Sequence, residues 1–196
     1  GGRGLNGHPN WAPDSRQLVF FHNPEIKAGR YYPPWGPAQA LYGPRDIWIM
    51  DVDSGTCRAI TDGEDDHERP AWSPDGRRLV YVSTHRGVKD LWMTDTEGKH
   101  PQRITNGEIE YYRPAWHPDG RRLALNNKGS GSHCLWTIDS DGSHLQRVLP
   151  DERHPAGVHD HGSFWSQDGR EILFHSDRGG GWGLWLVQPD GSHLRP

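Results

Sequence analysis

The chain has 196 residues and a net charge of −4 with histidine neutral, its Lys and Arg spread through turns with no basic stripe, which argues against a nucleic-acid partner. Mean hydropathy is −0.91, no apolar run approaches the roughly 18 residues of a membrane helix, and no secretory leader is visible. The expectation is a soluble chain of periplasm or cytoplasm, with Gly 25 and Pro 16 making it rich in turns.

From the N-terminus, "WAPDSRQLVFFH" at 11–22 reads as the end of one strand, a tight turn at Asp14 and an alternating second strand. The segment 23–45 carries an insertion, after which a third strand runs to the turn "DVDSG" and a fourth is written "CRAIT". The same order returns as "RPAW", "RLVYVS", "DLWMTD" and "QRIT", again from "RPAWHPDGRRLALNN", and again from "FWSQDGREILFHS". The turn aspartates Asp14, Asp75, Asp119 and Asp168 stand 61, 44 and 49 residues apart. A second tryptophan (Trp48, Trp92, Trp136, Trp185) follows them by 34, 17, 17 and 17 residues, so the first repeat holds 17 extra residues. No window shows a helical apolar stripe. Four short strands per 44-residue unit mean propeller blades.

The sequence therefore predicts an all-β propeller in one domain, 1–196. Blade 1 covers about 8–62 with its insertion at 23–45, blade 2 about 67–106, blade 3 about 111–150 and blade 4 about 159–196. Blade 4 stops at "GSHLRP", where its fourth strand should begin, and is expected to be incomplete. Four blades can form a compact ring or part of a larger one, and an unfinished ring invites self-association. Cys57 and Cys134 fall in non-adjacent blades, so no disulfide is expected.

"PAWSPDGRRLVYVSTHRGVKDLWMTDTEGKHPQRIT" resembles the TolB-type, WD-like β-propeller repeat, and the likeness recurs four times across the chain. That resemblance implies a propeller and leaves function open, because such repeats serve scaffolds, peptidase gates and sugar lyases.

Function is expected on one face. The loops joining strands two and three, and those joining one blade to the next, carry nine of the 13 histidines, while the Asp-Gly turns opposite carry His100, His117, His144 and His193. Eight tryptophans are repeat landmarks, assigned to packing between blades. Trp35 and Trp182 belong to no landmark, and with Tyr111 and Tyr112 they are candidate exposed platforms for a sugar ring or a partner peptide. For Trp35, pinning its own insertion is the preferred reading.

In "VHDHGSFW", His159 and His161 lie two apart on a strand and share one side. Two neutral imidazoles form half of a transition-metal site for manganese, zinc or nickel. His67 of "DDHERPAW" and His8 of "NGHPNW" are the expected further ligands, all four meeting at the channel mouth. The plain alternative is a set of histidines hydrogen-bonded in a polar channel. "HDHGSFWSQDGREILFHSD" is also similar to the metal-binding blade of oligogalacturonate lyases, which implies a manganese-assisted β-elimination on uronates. The segment departs from that family at Ala156, where a glutamine is expected, and at Trp165, one residue out of register. Arg69 and Arg113, each just before "PAW", are candidates to clamp a carboxylate or act as the base, against a plainer role in a salt bridge.

The Asp-x-Asp-Gly turns lack the further ligands of a calcium loop, and no Gly-x-Ser-x-Gly elbow is present. Two functions remain: a binding propeller that presents its histidine-rich face to a protein or glycan, or a metal-dependent lyase acting on acidic oligosaccharides. Binding is preferred because the metal motif is incomplete.

Overall fold

The computed structural model describes residues 5–24, 44–85, 87–107, 109–128, 132–150, 152 and 154–196. Four antiparallel sheets follow one another along the chain, and no α-helix occurs among the described residues. Blade 1 is β1 (Leu5–Trp11), β2 (Gln17–Asn23), β3 (Asp46–Asp51) and β4 (Cys57–Ala59). Blade 2 is β5 (Asp66–Trp72), β6 (Arg78–His85), β7 (Val88–Asp95) and β8 (Gln102–Arg103). Blade 3 is β9 (Tyr111–Trp116), β10 (Arg122–Lys128), β11 (His133–Asp139) and β12 (Gln146–Arg147). Blade 4 has β13 (Asp160–Trp165), β14 (Ile172–Ser176) and β15 (Gly183–Val187), with only a Leu186–Arg195 bridge where its fourth strand would run. The expected path of the blade 1 insertion over the histidine-rich face, and Trp35 within it, lie outside the described residues.

Innermost strands pack in order, β1 on β5, β5 on β9 and β9 on β13. Three apolar clusters fill the gaps between consecutive blades. Because β6 lies between two blades it is apolar on both faces, and Leu79, Val80, Tyr81 and Val82 are all buried.

The landmark tryptophans of blades 2 to 4 pack between blades, as the repeat pattern assigns them. Trp72 is 6% exposed within the cluster between blades 1 and 2. Trp116 and Trp165 pack against the next two clusters. The second arginine of each Asp-Gly-Arg-Arg turn adds a lock: Arg78 stacks its guanidinium 5.1 Å from the Trp116 ring centre, and Arg122 lies 5.5 Å from that of Trp165. Trp11 is 54% exposed. It occupies the same position in blade 1, and among the described residues no blade stands before it to pack against.

The turns opposite the histidine-rich face provide a second inter-blade contact. At Gly142 the backbone is left-handed (φ +91°), and an added Cβ would stand 2.8 Å from the Ile104 carbonyl oxygen of blade 2. Gly98 sits against Ile60 of blade 1 and Gly191 against Val148 of blade 3 in the same way. Gly55, the equivalent residue of blade 1, has nothing within 4 Å.

Candidate functional site

Every innermost strand contains one extra residue. In β5 the pairing with β6 shifts between Glu68 and Ala71, and equivalent shifts fall between Gly7 and Asn10 in β1, between Tyr112 and Ala115 in β9, and between His161 and Phe164 in β13. These are β-bulges, which twist a strand and re-aim a side chain. The residues three before each landmark tryptophan are His8, Arg69, Arg113 and Gly162, and all four have a positive φ of 50°, 55°, 55° and 62°. A non-glycine residue held there costs on the order of 1–3 kcal/mol. Three blades accept that strain at the same place, and it turns the side chains of His8, Arg69 and Arg113 toward one another.

These side chains line a concavity of about 320 Å³ with Pro70, Phe164 and His175. Glu68 is the nearest carboxylate, but it is already committed. Lys89 Nζ donates to it at 2.8 Å, Arg45 at 3.1 Å, and Arg69 Nε lies 3.9 Å away. Burial alone would raise the Glu68 pKa, and the charges of Lys89, Arg45 and Arg69 overcome this and hold it at about 2. Arg69 is held below the usual arginine value by burial, with the neighbouring charge of Arg113 adding to the effect and Glu68 opposing it. Arg113 has no ion pair among the described residues, and the Nε atoms of both arginines are buried without a hydrogen-bond partner. Buried donors left open in this way cost about 1–3 kcal/mol each. Burial and the adjacent Arg69 lower the His8 pKa to about 4, so its ring is neutral at physiological pH.

A second cluster sits on the rim. His159 and His161 do share a side, with rings parallel to within 3° and centres 6.3 Å apart. Two histidines not singled out from the sequence join them. His133 lies 5.1 Å from His159 and 4.3 Å from His161, and His175 lies 5.6 Å from His161. Both are brought in by strand pairing: His175 is the register partner of His161, and His133 forms a parallel bridge to His159. Trp182, 59% exposed, closes over His161 and His175 at 5.5 and 5.4 Å. Burial, with His133 and Arg113 nearby, depresses the His161 pKa to about 4.

The four proposed metal ligands do not form one group. His8 lines the arginine concavity. His67 is buried at 6% exposure, edge-on to Tyr81 in a separate cleft of about 300 Å³ shared with Asp62 and Asp65. The reason is register: His67 stands five residues before its tryptophan and His8 three, so pleat and bulge aim them differently. His159 Nδ1 is engaged by Asp177 at 3.1 Å and His161 Nδ1 by the Tyr112 hydroxyl at 3.3 Å. Among the described residues no three His, Cys, Asp or Glu side chains converge well enough to hold a metal ion. The donor set, as arranged, does not fit one.

The tyrosine pair also differs from expectation. Tyr111 and Tyr112 lie in β9 rather than in an exposed loop; Tyr111 is 1% exposed, and burial pushes the Tyr112 phenol up to about 12. Of the expected platforms Tyr111, Tyr112 and Trp182, Trp182 is the exposed one, and Phe164 in the concavity is exposed as well.

Solved structures with this arrangement include TolB from Acinetobacter baumannii, with a TM-score of 0.71 and 17% identity over 98% of this chain and 43% of that one. The chain folds as a β-propeller like that of TolB. A putative TolB from Agrobacterium tumefaciens matches this propeller with a TM-score of 0.68 and 23% identity, over 98% of this chain and 80% of the other. An oligogalacturonate lyase in complex with manganese has a TM-score of 0.69 and 15% identity, over 98% and 52% of the two chains. Residues 42–116 match the model of the dipeptidyl peptidase IV N-terminal region. Over 80 residues the chain is 36% identical to the uncharacterized peptidase YuxL of Bacillus subtilis, covering 40% of this chain and 10% of YuxL. The chain thus spans a small part of YuxL and less than half of the Acinetobacter TolB. No helix among the described residues is long and apolar enough to cross a membrane.

Proposed function

We propose that this propeller is a binding module for a carboxylate-bearing oligosaccharide, seated in the concavity of His8, Arg69 and Arg113 with the Trp182 rim beside it. The observation that carries this reading is the pair of arginines on strained bulges, their Nε donors buried and open. Two neighbouring guanidiniums, each with an Nε donor left open, fit the bidentate geometry of a carboxylate. A glycan is preferred to a protein because the concavity is small and Trp182 offers an exposed ring face suited to stacking on a sugar. The manganese complex of a uronate-cleaving propeller with the same fold is consistent with an acidic sugar. Catalysis by β-elimination is not adopted, since the histidines, as placed, do not converge as ligands.

Calorimetric titration with trigalacturonate tests the proposal. Charge-assisted hydrogen bonds contribute about 1.5–3 kcal/mol, so Arg113→Ala should weaken binding by roughly tenfold or more, and a neutral oligosaccharide should bind less well than the acid. Equal affinity for Arg69→Ala/Arg113→Ala and the unaltered protein refutes it. The same titration with manganese, followed by absorbance of unsaturated uronate, decides for the lyase if product forms.

A further inference from the structure

A second cleft, of about 300 Å³, opens between blades 1 and 2 and shares no residue with the arginine concavity. Superposing the repeats accounts for it. The segment "TDGEDDHERPAW" at 61–72 stands where blade 3 has "TNGEIEYYRPAW" at 105–116. Between blades 2 and 3, Ile109, Tyr111 and Ile138 pack into one apolar cluster with Leu125. The equivalent places between blades 1 and 2 are taken by Asp65, His67 and Thr94, all of which line the cleft. Three positions that pack blades together in one gap are polar in the other, and there the gap stays open.

The cleft has a buried end and an acidic mouth. At the buried end His67 is 6% exposed, and its Nδ1 has no hydrogen-bond partner among the described residues. Burial lowers its pKa, with the carboxylates of Asp46, Asp65, Asp62 and Asp66 opposing. The ring is therefore neutral at physiological pH and can present a nitrogen as an acceptor. Tyr81, whose ring centre lies 5.3 Å from that of His67, and Trp92 form aromatic walls. The open Nε1 of Trp92 is not peculiar to the cleft, because Trp48 and Trp136 leave the same atom open in their own blades. At the mouth stand Asp62, Glu64 and Asp65. His85 Nδ1 meets Asp65 at 2.8 Å, and the Glu64 N–H donates to Asp62 at 3.3 Å. Asp46 and Asp66 are matched elsewhere, by Thr61 and by Arg45. No Lys or Arg is among the described residues that line the cleft.

An open acceptor at the buried end and unbalanced negative charge at the mouth suit a ligand with a charged donor at each end. No three His, Cys, Asp or Glu side chains among the described residues converge on a metal ion, which points to an organic cation. We propose that this cleft binds a short aliphatic diamine in its diammonium form. One ammonium donates to His67 Nδ1 beside the Tyr81 and Trp92 rings, whose π-systems attract a cation. The other lies among Asp62, Glu64 and Asp65, and the methylene stem covers the apolar wall between them. The volume stands at the low end of the roughly 300–1,000 Å³ of small-molecule sites, in keeping with a short chain.

Calorimetric titration with putrescine at neutral pH and low salt tests the proposal. Putrescine should bind at one site per chain. Butylamine, which lacks the second charge-assisted contact, should bind about tenfold or more weakly. Asp62→Asn/Asp65→Asn removes two charges at nearly constant volume and should weaken putrescine by about tenfold or more. Asp65→Ile/His67→Tyr, which gives blade 2 the residues of blade 3, should fill the cleft and remove binding. No binding of putrescine at millimolar concentration, equal affinity for putrescine and butylamine, or unchanged affinity in Asp62→Asn/Asp65→Asn overturns the proposal. Manganese that binds and displaces putrescine overturns it in favour of a metal site. Should Asp65→Ile/His67→Tyr not fold, the asparagine pair decides, since both of its positions lie outside the three apolar clusters.

Discussion

Replacing Gly142 with alanine tests how the blades are seated on one another. The left-handed backbone at Gly142 (φ +91°) penalises any Cβ, and Gly55 in blade 1 (φ +69°) shares that penalty, worth about 1–2 kcal/mol at each site. Only at Gly142 does the new methyl also meet the Ile104 carbonyl oxygen of the neighbouring blade, at 2.8 Å. Ile104 follows β8 and its N–H is bonded to the Leu91 carbonyl at 2.8 Å, so its backbone cannot easily swing aside, and overpacking of this kind costs roughly a further 1–3 kcal/mol. Gly142→Ala should therefore lose about 2–5 kcal/mol and Gly55→Ala about 1–2. At about 2–4 °C per kcal/mol for a chain of this size, melting followed by circular dichroism should fall by roughly 4–20 °C for the first and 2–8 °C for the second. Paired urea midpoints should rank the two variants in the same order. Equal losses, or a larger loss for Gly55→Ala, would refute the seating of each blade's turn on its predecessor.

Two further outcomes concern buried charge. Glu68 has a folded pKa of about 2, below the ordinary 4.5, so its contribution is present above about pH 4.5 and is lost as pH falls toward 2. Glu68→Gln leaves Arg45 and Lys89 facing an uncharged amide; it should cost about 3–5 kcal/mol at neutral pH and flatten the acid limb of urea stability. For His154, whose Nε2 lies 3.1 Å from the buried Asp160 Oδ2, the sign reverses. Its folded pKa of about 9 lies above the ordinary 6.5, so stabilisation is complete below about pH 6.5 and disappears as pH rises through 9. The urea midpoint should decline between those values by an amount worth up to about 3 kcal/mol, and His154→Gln should remove that decline; an unchanged alkaline limb in the variant contradicts the pairing.

The blades were legible because their landmarks have separate physical jobs. Asp75 and Asp119 accept hydrogen bonds from the backbone N–H of Arg77 and Arg121 two residues on, closing the turn, and the tryptophans fill the gaps. Both jobs demand one residue type at one spacing, so they repeat visibly. Trp11 escapes the rule because a landmark's environment depends on the blade before it, which its own sequence does not describe. The site was less legible because of the bulge. Counted outward from the Trp165–Ile172 pair without an extra residue, His161 would meet Ser176; with it, His161 meets His175. One residue of slip moves a side chain to a different neighbour, and it separated the predicted ligands His8 and His67 while recruiting His133 and His175. The available signal was Gly162, a glycine inside a strand, which often marks a bulge. In the other three blades the same conformation is adopted by His8, Arg69 and Arg113, residue types that give no such warning.

The four bulge positions also separate backbone shape from side-chain identity. Their backbone shape is set by the strand ladder around them, so what the concavity displays can change one side chain at a time while the sheets keep their registers. Three of these positions already carry an imidazole and two guanidiniums, and the fourth carries nothing. A Cβ at Gly162 would come within 3.1 Å of the His175 ring and 3.3 Å of Arg113 Nη1. That empty place leaves room for Arg113 Nη1 beside blade 4. Enlarging it would press a blade 4 side chain against the Arg113 guanidinium of blade 3 and so change the charge that the concavity presents, with the three apolar inter-blade clusters left as they are.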